Sequence, residues 1–190
     1  MSKGFPGVRY AEVEREASGI RVRVIVDLDG GTKRDVATGI CFFDRLLAQL
    51  AYYAHLDLGV EVDGGSSDDP HAVLKEVGIT FGQALKASLV ESEAPSRSSC
   101  CTFVKDDALV QIAIDTGGRG QLFYDLALEA SVVAQVPTQD IKEFLRGLVI
   151  QAAFTAHVRR LAGDNDHHII EALFKGFGQA LHTAVHCTDR

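Results

Sequence analysis

The sequence has no Cys-x-x-Cys spacing, no excess of positive charge and no long uninterrupted apolar run. Each absence excludes something. Four cysteines (Cys41, the adjacent Cys100-Cys101 and Cys187) without that spacing argue against a cysteine zinc site and for a reduced set of thiols. A net charge of −7 argues against general nucleic-acid binding, which needs a basic face. A small anionic substrate held by a few local cations stays compatible with it. The start, Met1-Ser2-Lys3-Gly4-Phe5-Pro6, lacks the apolar run of a signal peptide, and nothing approaches a membrane-spanning length. The expectation is a cytoplasmic protein with no membrane or nucleic-acid partner, or an organellar one if a transit peptide was removed.

What is present is ordinary globular composition. The chain has 190 residues, 46% apolar and 24% charged, enough for one sizeable core or two small similar halves. Val8 to Val13 and Ile20 to Leu28 read as strands, the second with Ile20, Val22, Val24, Val26 and Leu28 on one face. Ile40 to Tyr53 carries Phe43, Leu46, Leu47 and Leu50 at helical spacing. Leu58 to Val62 alternates as a short strand. Pro70 suits the first turn of a helix over His71 to Val90.

After a polar connector, Glu91 to Ser99, the order repeats. Strands are expected at Cys101 to Val104, Leu109 to Ile114 and Gln121 to Ala127. A helix over Gln139 to Thr155, a strand over His157 to Leu161 and a helix over His167 to Val185 follow. The reading is a single domain of two similar halves, about 1–93 and 94–190, in an α+β fold.

The chemistry concentrates at Gly163-Asp164-Asn165-Asp166-His167-His168-Ile169-Ile170-Glu171. Gly, Asp and Asn supply a turn and an N-cap. His167 and His168 lie four and three residues before Glu171, so all three side chains share one end of a helix face. Two imidazoles and a carboxylate suit Zn, Mn or Fe. A solvated helix start, where an acid complements the dipole, fits the same spacing equally well. His71-Ala72-Val73-Leu74-Lys75 takes the corresponding place in the first half.

At these residues the chain resembles the imidazoleglycerol-phosphate dehydratases of histidine biosynthesis. The resemblance runs through Leu28-Asp29-Gly30, Thr38-Gly39-Ile40 with Phe43-Asp44, Asp106-Asp107-Ala108-Leu109, Asp115 with Gly118-Arg119, Ala156-His157-Val158, and Asn165 through Lys175. It implies a duplicated α+β unit with helices sandwiched between two four-stranded sheets. It also implies trimers built into a large octahedral shell, with sites between subunits. The implied cofactor is manganese, which stabilises the substrate's imidazole as imidazolate, and the implied ligand is a small phosphorylated imidazole. A carboxylate then serves as acid or base.

Carried over by position, the second half keeps its metal ligands His167, His168 and Glu171, and Glu143 stands where the family has His or Glu. The first half keeps only His71. The family's Phe-Asp-His is Phe43-Asp44-Arg45, its second histidine is Ala72, and its glutamate is Lys75. A substrate-contacting histidine is replaced by Tyr53 and an acid near the reacting carbons by Gly19. The family's C-terminal Ser-x-Lys phosphate tail has no counterpart before Arg190. One metal would thus keep His71, His167 and Glu171, the other only Glu143 and His168. An adjacent cation opposes either, since a unit-charge pair at ~4 Å and an effective dielectric of ~20 is worth ~4 kcal/mol. Arg45 and Lys75 are expected to take the space and charge of the metals by pairing with Glu143 and Glu171. On the phosphate side Arg97, Arg119, Lys175 and Gln49 match, and a guanidinium suits phosphate.

Three readings follow. The chain is a family member with weakened or lost dehydratase activity, manganese at one site or at none, and a partly retained phosphate pocket. Alternatively it is a working dehydratase with one rebuilt metal site, in which Glu171 and His71 are the candidate catalytic residues. Or it is a non-catalytic subunit that completes interface sites of a mixed shell with an unaltered paralog. Elsewhere, His157 is expected as a structural histidine near the site, with His55, His182 and His186 on helix ends or surfaces.

Overall fold

The computed structural model describes residues 3–5, 8–17, 19–64, 69–89, 97–117 and 119–185. The first half comprises β1 (Lys3–Phe5), β2 (Val8–Ala17), β3 (Ile20–Asp27), β4 (Arg34–Ala37), α1 (Cys41–Ala54), β5 (Asp57–Asp63) and α2 (Pro70–Leu89). The second comprises β6 (Ser98–Lys105), β7 (Ala108–Asp115), β8 (Gln121–Asp125), β9 (Val132–Val133), β10 (Val136–Pro137), α3 (Thr138–Ala152), β11 (Thr155–Ala162) and α4 (Asp166–Val185).

Strand alternation sets the sheets. In β3, Ile20, Val22, Val24 and Val26 are buried, while the residues between them are not. In β7 the buried set is Ala108, Val110, Ile112 and Ile114. The first sheet runs β1-β2-β3-β5-β4 and the second β6-β7-β11-β8. Leaving aside the three-residue edge strand β1, the two share one topology. Each ends in a parallel pair, β4 with β5 and β8 with β11, and is otherwise antiparallel. The outer face of the first sheet is tied by ion pairs, Arg21 to Glu14 and Glu16, and Arg23 to Glu12 and Glu61.

The four helices fill the space between the sheets. α2 lies on β2 and β3 and packs against α3; α4 lies on β6 and β7 and packs against α1. Burial runs in step in the two halves. Phe42, Phe43, Leu46, Leu47 and Leu50 of α1 match Asp140, Ile141, Phe144, Leu145 and Leu148 of α3. Phe43, Phe144 and Phe174 meet at the centre, with ring centroids 5.1 to 6.5 Å apart. Each such fully buried ring contributes ~1.5–3 kcal/mol by leaving water.

Several boundaries differ from the sequence expectation. Strand β4 and the ribbon β9–β10 have no long apolar alternation to announce them. The third helix ends at Ala152 rather than Thr155, because Ala153 turns left-handed (φ 60°) as its C-cap and feeds Phe154 into the core. The expected midpoint connector falls largely on residues 90–96, and His186 and Cys187 on the chain end; these lie outside the described residues.

Candidate functional site

The starts of α1 and α4 meet at one mouth. Gly163 (φ 105°) makes the entry turn to α4, and a side-chain carbon there would lie 2.6 Å from Ala108 Cα. Asn165 caps α4, its Oδ1 accepting from the backbone N–H of His167 (3.0 Å) and His168 (3.4 Å). Asp166 reaches sideways, and one carboxylate oxygen accepts from the N–H groups of Glu129 and Ala130. On α1, Asp44 in the first turn accepts from the backbone N–H of Thr38 at 2.9 Å. These bonds fix the direction in which each mouth residue points.

Within the mouth, Glu171 is the buried acid, its side chain 9% exposed. Arg45 Nη2 lies 3.2 Å from Glu171 Oε1 and 3.1 Å from His167 Nε2. Lys175 Nζ faces the other oxygen, Oε2, at 3.6 Å. The guanidinium carbon of Arg45 sits 5.3 Å over the Phe42 ring, which is itself 4.9 Å from the His167 ring. A cleft lined by Gly39, Ile40, Phe42, Arg45, Pro70 and His167 opens from this cluster.

His168 turns away from Glu171. Its Nδ1 lies 2.6 Å from Asp107 Oδ1, and its Nε2 is 3.5 Å from Asp106. Asp107 also accepts from the N–H groups of Asp164 and Asn165. The bond from His168, joined by these two, holds the Asp107 carboxyl well below the usual carboxylate range. Asp106 and Asp107 thus do more than turn a hairpin, since Asp107 anchors the start of α4.

The second mouth, between α2 and α3, is built differently. His71 Nδ1 is 2.7 Å from Asp140 Oδ1, with Asp140 1% exposed and His71 54% exposed by side chain. Asp140 occupies the buried position that Phe42 holds in the first mouth, and its Oδ2 has no hydrogen-bond partner among the described residues. The sequence analysis did not single out Asp140, because an acid in the first turn of a helix is ordinary there. Ala72 offers no donor. Lys75 is exposed and forms no ion pair among the described residues, while Glu143 pairs with Arg146 at 3.8 Å. The expected cation pairing is therefore corrected in part. Arg45 takes Glu171, but Lys75 takes neither Glu143 nor Glu171. Lys175, not Lys75, is the second cation on Glu171.

His71, His167 and Glu171 are not gathered into one ligand set, and no cluster of three or more His, Cys, Asp or Glu suited to a metal occurs among the described residues. The phosphate candidates also divide. Gln49 and Lys175 lie one turn beyond Arg45 and Glu171, and Gln49 Oε1 is buried without a hydrogen-bond partner among the described residues. Arg97 (φ 43°), whose carbonyl accepts from Thr116, and the exposed Arg119 flank the opposite end of the second sheet. That end lies beside the last turns of α4, because Ser99 Oγ bonds the Ala180 carbonyl. The eight residues of β6 separate the two ends by roughly 24 Å.

Tyr53 packs edge-on against Phe103 at 5.0 Å, and Gly19 makes the β2–β3 turn at φ 75° with nothing within 4 Å of a side-chain position. His157 stands on the exposed side of β11, stacked on Phe123 at 4.2 Å, which corrects its expected place near the site. His55 and His182 lie together at the far ends of α1 and α4, rings 4.6 Å apart.

The comparisons with known proteins agree with this architecture. The family profile described as Imidazoleglycerol-phosphate dehydratase matches residues 38–181. The chain is 40% identical over 178 residues to Imidazoleglycerol-phosphate dehydratase of Desulfitobacterium hafniense, covering 94% of this chain and 91% of that one. It is 41% identical to that of Desulforamulus reducens, covering 93% and 90%. Among solved structures, the Imidazoleglycerol-phosphate Dehydratase of Staphylococcus aureus superposes with a TM-score of 0.84 at 27% identity, covering 93% of this chain and 98% of that one. The enzyme from Pyrococcus furiosus gives 0.81 at 29%, covering 94% and 96%. With profile, sequence relatives and shape in agreement over most of its length, the chain belongs to the imidazoleglycerol-phosphate dehydratase family.

Proposed function

We propose that this protein keeps the histidine-biosynthesis dehydratase scaffold and part of its pocket for a small phosphorylated imidazole, with dehydratase activity weakened or lost. The observation that carries this is the α2–α3 mouth. Where the other half presents His168 and Glu171, this mouth presents Ala72 and an exposed Lys75, and its remaining imidazole, His71, is bonded to Asp140. The family is metal-dependent, and manganese is the ion the resemblance implies. A divalent ion draws on several neutral or anionic donors free to face it. One imidazole beside a lysine does not supply them, and Glu171 already faces two cations. The residues present in this mouth do not fit the ion.

Loss of Lewis-acid assistance removes several kcal/mol of barrier lowering, on the order of 10³-fold or more in rate. The test is a dehydration assay of the purified full-length chain with imidazoleglycerol phosphate and added manganese. Turnover in the range of a conventional family member would sink this reading.

A second reading is favoured by His71 itself. Its Nδ1 is tied to a buried carboxylate while the ring is half exposed, an arrangement that suits Nε2 as a metal ligand. On that reading the chain is a dehydratase with one rebuilt metal site, and metal analysis after purification in manganese would find one ion per chain. In either case the distance between Arg97 and the His167 mouth supports a site completed by a second chain. That chain is another copy in a trimer-based shell or an unaltered paralog, in the cytoplasm.

A further inference from the structure

The α1–α4 mouth carries a cation of its own. Arg45 Nη2 stands 3.1 Å from His167 Nε2 and 3.2 Å from Glu171 Oε1. His167 Nε2 is also 3.3 Å from Glu171 Oε1, so guanidinium, imidazole and carboxylate meet in one three-way contact, and an unprotonated Nε2 accepts from Arg45. The two α4 groups a metal ion would draw upon thus converge on one nitrogen. The Phe42 ring supports both, 5.3 Å from the guanidinium carbon and 4.9 Å from the His167 ring.

We infer that Arg45 is a resident substitute for a divalent cation at this mouth. It ties α1 to the start of α4 and, by its charge, keeps such ions out. This rests on the reading of the donor set given above and says what has replaced the metal. Arginine suits the task because it stays protonated at every physiological pH, and its one Nη2 faces both groups. Lys175 adds a second positive charge on Glu171, with Nζ 3.6 Å from Oε2. An incoming divalent ion would meet a cation at each oxygen of this acid, Arg45 at Oε1 and Lys175 at Oε2.

The internal repeat makes the substitution specific to one mouth. Glu143 stands in α3 where Arg45 stands in α1, and Lys75 stands in α2 where Glu171 stands in α4. The signs are reversed, and the second pair does not close among the described residues, since Glu143 turns to Arg146. Among the described residues, only the α1–α4 mouth has its acid, its imidazole and its cation joined.

The experiment uses the intact chain, dialysed against EDTA and then titrated with manganese, with binding followed by calorimetry and stability by thermal melting. The wild-type chain should bind no manganese and melt at the same temperature with EDTA or with manganese. Arg45→His and Arg45→Gln should each melt lower in EDTA and bind manganese at least about tenfold more tightly than wild type. Arg45→Lys keeps the charge, and should still exclude the ion; it also serves if the neutral variants fail to fold. Stoichiometric binding by wild type, or binding by Arg45→Lys as tight as by Arg45→Gln, would overturn the inference. Turnover is measured in the same preparations. Turnover by wild type without bound manganese would overturn the functional reading and leave this inference standing. Bound manganese without turnover would do the reverse.

Discussion

Gly178 sits directly against the carbonyl oxygen of Leu50, which is 2.3 Å from where a first side-chain carbon would stand. Gly82 makes the same approach to the carbonyl of Leu148 in the other half, also at 2.3 Å. These paired contacts bring α4 against α1 and α2 against α3 so closely that a side chain at either glycine would meet the facing backbone. Gly178→Ala is expected to lower stability by ~1–3 kcal/mol through overpacking. Chemical denaturation of the variant beside wild type checks this, and an unchanged midpoint would contradict the close approach.

Asp57 clamps the β3–β4 loop. One of its carboxylate oxygens accepts from the backbone N–H groups of Gly31, Thr32 and Lys33 at 2.6 to 2.8 Å. Burial pushes its pKa up, but these three donors outweigh burial and hold it below the ordinary value. A depressed carboxylate contributes stability that is present above its unfolded pKa, ~3.9, and lost as pH falls through the lower folded value. Asp57→Asn should therefore cost ~1.5–3 kcal/mol at pH 7 and show a shallower loss of stability below about pH 4. Melting curves from pH 7 to pH 2 separate the two effects.

The adjacent thiols should react unequally. Cys100 points outward from β6, whereas Cys101 points inward with Sγ 3.2 Å from the Gly176 carbonyl. Burial, followed by the neighbouring Cys100, pushes the Cys101 thiol up to about 11. The thiolate is the reactive form, so alkylation near pH 8 should label the exposed Cys41 and Cys100 and spare Cys101 until the chain is unfolded. Peptide mapping after timed labelling reads this directly.

Asp140 should cost stability rather than supply it. It is buried, with one oxygen bonded to His71 and the other unpartnered among the described residues. Its counterpart in the repeat is an apolar ring, Phe42. Asp140→Leu is expected to raise stability by ~1 kcal/mol, because an unsatisfied buried oxygen is removed and the half-exposed His71 can turn to water. Urea unfolding gives the sign, and a loss of several kcal/mol would show that the His71 bond outweighs the desolvation.

The helices, the long strands and the repeat were legible because each rests on periodicity. The burial of β3, β7 and the four helices follows apolar spacing visible in the chain. Strand β4, Arg-Asp-Val-Ala, was not legible, because four mixed residues carry no period and pairing with β5 alone makes them a strand. The mouth residues Arg45, His167 and Glu171 were singled out from the chain. Their convergence on one nitrogen was not visible, since it depends on how α1 lies against α4. Asp140 escaped notice for the same reason. A helix start accounts for an acid well enough until its depth and its histidine partner are seen. The distance between Arg97 and the His167 mouth is likewise a property of strand length and packing direction, which no motif encodes.

The glycine contacts also bear on how such a chain changes over time. They lie more than a turn below the mouths, so the residues that set the helix spacing are not the residues that face a ligand. The helix spacing itself therefore does not depend on which side chains stand at the mouths. A lineage can exchange an imidazole for a guanidinium, or a carboxylate for an ammonium, one step at a time without passing through an unfolded ancestor.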